Sequence, residues 1–547
     1  TQITNITWDG LNDSAGLGGA AVPLLRDKIL EAQSTGVDSI SGATVTSVGF
    51  KAAVAAALEE AGASLAFTSK PKDPVKVTKT VEAGVLVIGS GIAGLSAAYQ
   101  AKTDRTDATV IVIEKQEIIG GTTKTSAGVV YAALDDSQAE ADALADYYME
   151  RAQGYANRDL VQFFANNSYE TLEFLGITPT GFAMSSGTSS AARMRMSAGG
   201  NGLVQMLYGK ATEAGVTVMT GVKATELIKN SAGRVTGVKA ESKAINYTFN
   251  VSGGVVVATG GFDSDREGLM QEHNPDSMYD IPQSNHGNVG EGIKMGVAVG
   301  ADTVFKGGKI GWVGIDPSLG EASHYYSAII DDKGNLLVLN NLPASVAGTN
   351  NAGKLHPALT AVNYETHRDD YAVVHRRMLD ARKAAGGTLG FWSLTNTAPM
   401  YPEPYAYTSS TIAGLANLID IDVEKLQAAF ASGQEISNMM GPSANLTDEE
   451  GTVPFTATKA VPSSIGSMGG LKINTSAQVL SAGDTSKTPI AKGQPIPGLY
   501  AAGETANGDL FYLEYPGSGT SLSVGATFGR FAGKNAAAEV PPSAWSF

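Results

Sequence analysis

The sequence predicts an α/β protein in which a parallel-sheet domain is split by a long insertion and preceded by a small α/β unit. Three observations predict it. The apolar run Val85-Leu86-Val87-Ile88 passes through a glycine turn into an Ala-rich helix, and a second apolar run follows at Val110–Ile113, the strand–helix–strand order of a parallel crossover. A third apolar run at Val255–Thr259 and the strand-and-glycine punctuation after residue 455 carry the same pattern far downstream. The 547 residues also exceed one core, since about 150 residues per domain implies three or four domains.

Taken in order, residues 1–65 read as a small α/β unit with a strand at Gln2–Trp8, a helix near Ala21–Ala32, a turn at Asp38–Thr44 and an Ala-rich helix from about Ser47 to Glu60. The unit begins in mid-strand and the chain starts at Thr1, so we read it as a processed or trimmed product with residues missing upstream. Residues 66–82, with Pro71, Pro74 and four lysines, read as a linker. Residues 83–265 together with 455–547 form one discontinuous domain, closed by a helix near Ser523–Glu539. Residues 266–454 form the inserted cap, with helices near Asp369–Ala385 and Val423–Ala431.

Composition removes whole classes of function. Hydrophobic residues at 43% and charged residues at 17% are ordinary for a globular chain. The absence of cysteine excludes disulfides, thiolate metal sites, iron–sulfur clusters and thiol catalysis, so redox chemistry must come from a bound organic cofactor. A net charge of −15 argues against nucleic acid as a partner. No apolar run reaches the roughly 18 residues of a membrane span. The six histidines show no metal-ligand spacing, so no metal is expected. The 65 glycines follow no period and belong in turns and where backbone approaches a ligand.

The strongest signal is Gly89-Ser90-Gly91-Ile92-Ala93-Gly94 between a strand and a helix, with Glu114 ending the next strand 20 residues after Gly94. Gly89 permits the tight turn, Gly91 lets backbone approach a pyrophosphate, and Gly94 lets the helix pack on the strand. Glu114 stands where a carboxylate accepts from ribose hydroxyls. This is a Rossmann-like dinucleotide site. Gly307-Gly308-Lys309-Ile310-Gly311 lacks both the spacing and a following acid.

Further stretches stand in a fixed order: Lys115, then Gly120-Gly121-Thr122-Thr123, Ser126-Ala127-Gly128, Ala258-Thr259-Gly260-Gly261-Phe262-Asp263, Gly290-Glu291-Gly292 and Ala501-Ala502-Gly503-Glu504. As a set, over residues 80–547, they resemble the fumarate reductase / 3-ketosteroid dehydrogenase superfamily of FAD enzymes. The resemblance implies a Rossmann-like FAD-binding domain with an inserted substrate-capping domain and non-covalent FAD. It assigns the cofactor to Gly89, Gly91, Ala93, Gly94, Glu114, Lys115, Gly121, Thr122, Thr123, Ala127, Gly128, Thr259, Gly260, Gly290, Gly292, Gly503, Glu504, Ser521 and Leu522.

The turn Asp38-Ser39-Ile40-Ser41-Gly42-Ala43-Thr44 resembles the flavinylation motif of FMN-binding domains. It implies FMN esterified to Thr44 and an extracytoplasmic location, periplasm or cell surface of a bacterium, with any anchor upstream of the given sequence. The same turn also reads as an Asp-started cap of the next helix. Two flavins imply a relay from an external donor protein or quinol-linked chain through FMN to FAD.

At the substrate, the family's HHTMGG stretch stands here as Ile465-Gly466-Ser467-Met468-Gly469-Gly470, without histidine, and its late arginine stretch is replaced by Glu514-Tyr515-Pro516-Gly517-Ser518-Gly519. The latter resembles the YPGxG motif of ketosteroid dehydrogenases, where the phenol and the amide of the last glycine grip a carbonyl oxygen. It assigns that role to Tyr515 and Gly519. Two preset donors would stabilise the charge that hydride addition places on the oxygen. The proton donor is left between Arg368, in a stretch resembling the fumarate reductases' RFVNETTRD, and the cap tyrosines Tyr325 and Tyr326. The reading is a reductase saturating the activated C=C of an α,β-unsaturated ketone or lactone, steroid-like compounds favoured, in anaerobic respiration. The alternatives are a fumarate-, urocanate- or cinnamate-type enoate reductase, a dehydrogenase running the same residues backwards, and an electron carrier with no substrate of its own.

Overall fold

The computed structural model describes residues 2–10, 17–63, 65–177, 191–195, 199–315, 328–337, 375, 378–395, 403–440, 454–513, 515–517 and 519–542. In the N-terminal unit α1 (Gly18–Ala32) and α2 (Thr44–Glu60) pack over Ile3, Leu25, Ile29, Ile40 and Val54. Residues 2–10 form no strand, contrary to the expectation for Gln2–Trp8. The Gln33 side chain replaces a partner strand there, accepting from the Ile3 N–H at 2.8 Å and donating to the Ile3 carbonyl at 3.0 Å. Helix α2 also starts earlier than expected, so Thr44 is its first residue.

The expected linker ends sooner than residue 82. β1 (Val77–Ala83) pairs in parallel with Ile245–Val251 at the edge of a four-stranded sheet. Its alternation of valine and threonine with lysine suits an exposed edge.

The central sheet carries the fold. β2 (Val85–Ile88) leads through Gly89 into α3 (Ile92–Asp104), then β3 (Val110–Glu114), β4 (Thr217–Thr220) and β5 (Val255–Val257). Much later come β6 (Thr303–Ile315), β7 (Phe455–Leu471), β8 (Gln478–Leu480) and β9 (Pro495–Ala501). The sheet order is β8-β9-β5-β2-β3-β4, with β9, β5, β2, β3 and β4 parallel and β8 antiparallel at its edge. β2, β3 and β5 are buried throughout, as strands covered on both faces must be. β9, from residue 495 onward, joins the sheet beside β5, so the sheet draws parallel strands from both sides of the long intervening segment.

The C-terminal helix α4 (Thr520–Ala538) lies along α3. A Cβ at Gly529 would sit 2.3 Å from the Ala93 carbonyl oxygen, and one at Gly533 2.0 Å from that of Ala97. The two helix backbones touch, and only glycine allows it.

A third sheet is centred on β7, which pairs antiparallel with β6, Phe391–Thr395 and Ala406–Ser409. Its core joins Leu394, Leu415, Leu426, Phe430 and Phe455. β7 thus begins among the strands of the insertion and ends beside the central domain.

A candidate cofactor and substrate site

Four parallel strands end at one edge of the central sheet. β2 delivers Gly89, β3 ends on Glu114, β5 is followed by Thr259 and Gly260, and β9 by Gly503 and Glu504. Ligands of open α/β sheets bind beyond the carboxyl ends of their strands.

The glycine turn is as tight as its spacing requires. Gly89 has φ 106°, and a Cβ at Gly94 would lie 1.9 Å from the Gly89 carbonyl oxygen. Gly91 starts α3 without a side-chain cap, a ready anion site at a helix N-terminus. Glu114 is buried, with Oε2 accepting from the Ser90 N–H at 3.0 Å and Ser90 Oγ at 2.7 Å, and Oε1 from the Gln116 N–H at 2.8 Å. Each oxygen has two acceptor sites, so Oε1 keeps one for a ribose hydroxyl. Lys115 is held by Glu291 and by the Gly287 carbonyl, tying the loop before Glu291–Ala298 to the end of β3.

The remaining cofactor candidates crowd the same edge. Gly121 opens the short helix Gly121–Thr125, and its Cβ position faces open space. Thr122 Oγ1 accepts from Asn288 Nδ2 at 3.0 Å, and Thr123 Oγ1 from the Ile92 N–H at 3.1 Å. Gly128, with φ 68° and Ala127 before it, abuts Gly199. Gly260 abuts Asn288, Gly292 packs on Thr259, and Gly290 starts Glu291–Ala298 in the left-handed region. Gly503 packs on Ala93, and Leu522 against the cluster of Ile92 and Val130.

Tertiary structure joins two motifs that are ten residues apart in sequence. Tyr515 Oη accepts from the Ser521 N–H at 2.7 Å, and Ser521 Oγ donates to Glu504 Oε1 at 3.3 Å. Gly519, φ 95°, caps the start of α4 directly beside them. The loop is braced from behind by Tyr147, which donates to the Pro516 carbonyl, and by Tyr148, whose hydroxyl donates to Thr520 Oγ1 at 3.0 Å. Tyr131, Tyr147, Tyr148, Phe511 and Tyr515 form one aromatic cluster there.

Glu504 lies between Gly261, Gly466 and Ser521. Part of the residue keeps accessible surface, but Oε2 is enclosed and has no hydrogen-bond partner among the described residues. Burial, and then the charge of Asp263, push its carboxyl up to about 8. Asp263 is itself pushed up by burial, opposed by hydrogen bonds from Ser284 and Asn288. An enclosed oxygen without a partner at the sheet's carboxyl edge fits the hydroxyl of a bound dinucleotide cofactor.

Sequence reasoning missed Asp263 as a site residue, and missed Ser90, Ser467, Tyr147 and Tyr148. A polar residue inside an apolar or glycine-rich motif was the available signal for Asp263 and Ser467. It also gave His375 no role. The structure buries His375 against Asp280, Nε2 to Oδ1 3.0 Å, with Lys309 on the other carboxylate oxygen. Burial raises the Asp280 carboxyl, but His375 and Lys309 outweigh it and the net shift is downward. Arg368, Tyr325 and Tyr326 lie outside the described residues, as do Glu514 and Ser518.

In the N-terminal unit Thr44 is exposed at the start of α2, and no side chain caps that helix. Asp38 pairs instead with Lys243 at 2.7 Å, which removes the capping alternative. Ser47 pins the turn, accepting from the Ile40 N–H at 3.0 Å and donating to the Ala43 carbonyl at 2.7 Å. The turn docks on the segment after Glu114. Glu117 accepts from Lys28 and, at 3.3 Å, from the Ser41 N–H, while Ile118 enters the core of the N-terminal unit.

Residues 84–522 match the family model described as FAD binding domain, and residues 1–59 the FMN-binding domain. The chain is 27% identical over 504 residues to the NADH:fumarate oxidoreductase of Klebsiella pneumoniae (strain 342), covering 88% of this chain and only 50% of that protein. It is 27% identical over 567 residues to the urocanate reductase of Eggerthella lenta, covering 96% and 87%. In fold it is similar to 3-ketosteroid Δ1-dehydrogenase from Sterolibacterium denitrificans, with a TM-score of 0.63, 18% identity and coverage of 84% of this chain and 99% of that one. Among the described residues no helix is long and apolar enough to cross a membrane.

Proposed function

The chain belongs to the FAD binding domain family, and from that premise we propose that it is a reductase that saturates the activated C=C of an α,β-unsaturated ketone or lactone. The observation that carries this reading is the chain of contacts from Tyr515 through Ser521 to Glu504 at the carboxyl edge of the sheet. FAD, when bound non-covalently, supplies the hydride. The residues that would hold it are Gly89, Gly91, Gly94, Glu114, Thr122, Thr123, Gly260, Glu504 and Ser521. Tyr515, with the Gly519 amide, holds the substrate carbonyl oxygen. The phenol accepts from a main-chain N–H, and in this reading it also donates a hydrogen bond to that oxygen as negative charge develops. Arg368, Tyr325 or Tyr326 supplies the proton to the carbon. Thr44 would carry FMN covalently, and that flavin would supply the entry point for electrons from an external donor in an extracytoplasmic setting.

A second reading, an enoate reductase, is favoured by the relatives named for fumarate and urocanate. Against it, Ile465–Gly470 holds no histidine, and Glu514 and Tyr515 stand where the arginine stretch of carboxylate-clamping relatives is expected. The test mixes anaerobically reduced, dye-linked enzyme with fumarate, urocanate, cinnamate and a 4-en-3-one. Reoxidation by the enone supports the first reading. Reoxidation by the acids alone rejects it in favour of the second, and reoxidation by none leaves the electron-carrier alternative.

A further inference from the structure

Asp263 and Glu504 reach the same place from different ends of the chain, one just after β5 and one just after β9. Asp263 is 1% exposed. Its Oδ2 accepts from Ser284 Oγ and its Oδ1 from Asn288 Nδ2 at 3.2 Å. Gly261 and Ser467 close on Glu504: a Cβ at Gly261 would fall 2.8 Å from Glu504 Oε2 and 2.1 Å from Ser467 Oγ. Ser467 Oγ accepts in turn from the Phe262 N–H at 2.9 Å.

The groups facing the pair are Ser467 from β7, Ser521 from α4, and Ser284, His286 and Asn288 from the loop before Glu291–Ala298. Two acids with enclosed carboxyl oxygens therefore share a pocket whose other members are neutral hydroxyls and an amide, with the exposed His286 acting on Asp263 through its charge. Like charges in such a pocket do not both ionise easily. Asp263 receives two side-chain hydrogen bonds, whereas Glu504 receives one long one from a side chain, with lesser main-chain support from Ser467 and Gly261, and its Oε2 is enclosed. That asymmetry, with the stronger upward push on Glu504, favours the charge on Asp263 and the proton on Glu504.

We propose that Asp263 is a positioning residue of the FAD cleft that acts through Glu504, holding its carboxyl protonated in the FAD-free protein so that FAD binding expels one proton. On binding, the Glu504 O–H bond breaks, its proton passes to the buffer, and the carboxylate left behind accepts from a cofactor hydroxyl, whose own O–H stays intact. No electrons move. The inference rests on the FAD assignment and is independent of the enone reading, so either can fail alone.

The experiment titrates the FAD-stripped 547-residue chain with FAD at pH 7 by calorimetry, in buffers of different ionisation enthalpy. The slope of heat against that enthalpy counts protons. The wild type should release close to one proton per FAD at pH 7 and almost none at pH 9. Its FAD affinity should tighten roughly 50-fold between pH 6 and pH 8, the factor expected for an acid that dissociates near 8 and binds only when ionised. Glu504→Gln should release none and bind with an affinity independent of pH. Asp263→Asn should release measurably less than the wild type at pH 7, because Glu504, still raised by burial but no longer by the Asp263 charge, then ionises at lower pH. A purely structural lesion would weaken binding equally at every pH and leave the proton count at one. No proton release by the wild type, or wild-type release by either variant, overturns the proposal.

Discussion

Replacing Tyr515 with phenylalanine isolates one hydroxyl. The ring can stay where it is, edge-on to Phe511 with centroids 6.0 Å apart and packed on the main core. Lost with the oxygen is the acceptor of the Ser521 N–H at 2.7 Å. That donor sits in the first turn of α4, where N–H groups have no intrahelical partner, so the loss should cost about 1 kcal/mol of stability. If the same phenol donates to the substrate oxygen, one preset donor disappears as well, worth about 3 kcal/mol in the transition state and a roughly hundredfold fall in kcat. The two effects separate experimentally. Tyr515→Phe should keep its FAD absorbance and melt only a few degrees lower, while dye-linked turnover of a 4-en-3-one falls about a hundredfold. Turnover within twofold of the wild type, with FAD bound, would refute the assignment. A rise in KM alone would mean that Tyr515 grips the ground state and the transition state equally.

Other outcomes follow from the same geometry. Thr44→Ala should abolish flavin fluorescence in a denaturing gel while leaving FAD bound and dye-driven turnover unchanged, because Thr44 is exposed on a unit outside the central sheet. Gly94→Ala places a methyl 1.9 Å from the Gly89 carbonyl oxygen, so α3 must leave the turn; purified protein should lack FAD and lose on the order of 1–3 kcal/mol of stability. Asp280 is held below its ordinary carboxylate range by His375 and Lys309. A depressed folded value contributes stability above the unfolded value near 3.9 and loses it as pH falls through the folded one. Asp280→Asn should therefore lower the melting temperature at pH 7 and flatten the acid limb below about pH 4, as followed by circular dichroism.

Much of the fold was legible because its signals are local. Val85 to Glu114 holds a buried strand, a turn that only glycine can make and a second strand ending on an acid, all within one crossover. The boundaries moved where tertiary partners decided them. Residues 2–10 lack a strand because Gln33 takes the hydrogen bonds, and residues 77–83 become one because Ile245–Val251 offers an edge. The candidate site was only half legible. Tyr515, Gly519 and Glu504 stand in recognisable stretches, but Asp263 reads as the tail of a glycine motif, and Tyr147 and Tyr148 stand in no motif at all.

What the sequence determined by itself is the pair of cofactor motifs and the kind of chemistry they admit, since turn geometry and strand–helix spacing are fixed within a few neighbouring residues. Only the tertiary structure decided that Asp263, Ser467, Glu504, Tyr515 and Ser521 meet. They follow β5, lie in β7, follow β9 and flank the start of α4, and nothing local in the chain specifies how those segments are ordered in space. Burial there, and not residue type, pushes both carboxyls above their ordinary range, Glu504 further than Asp263.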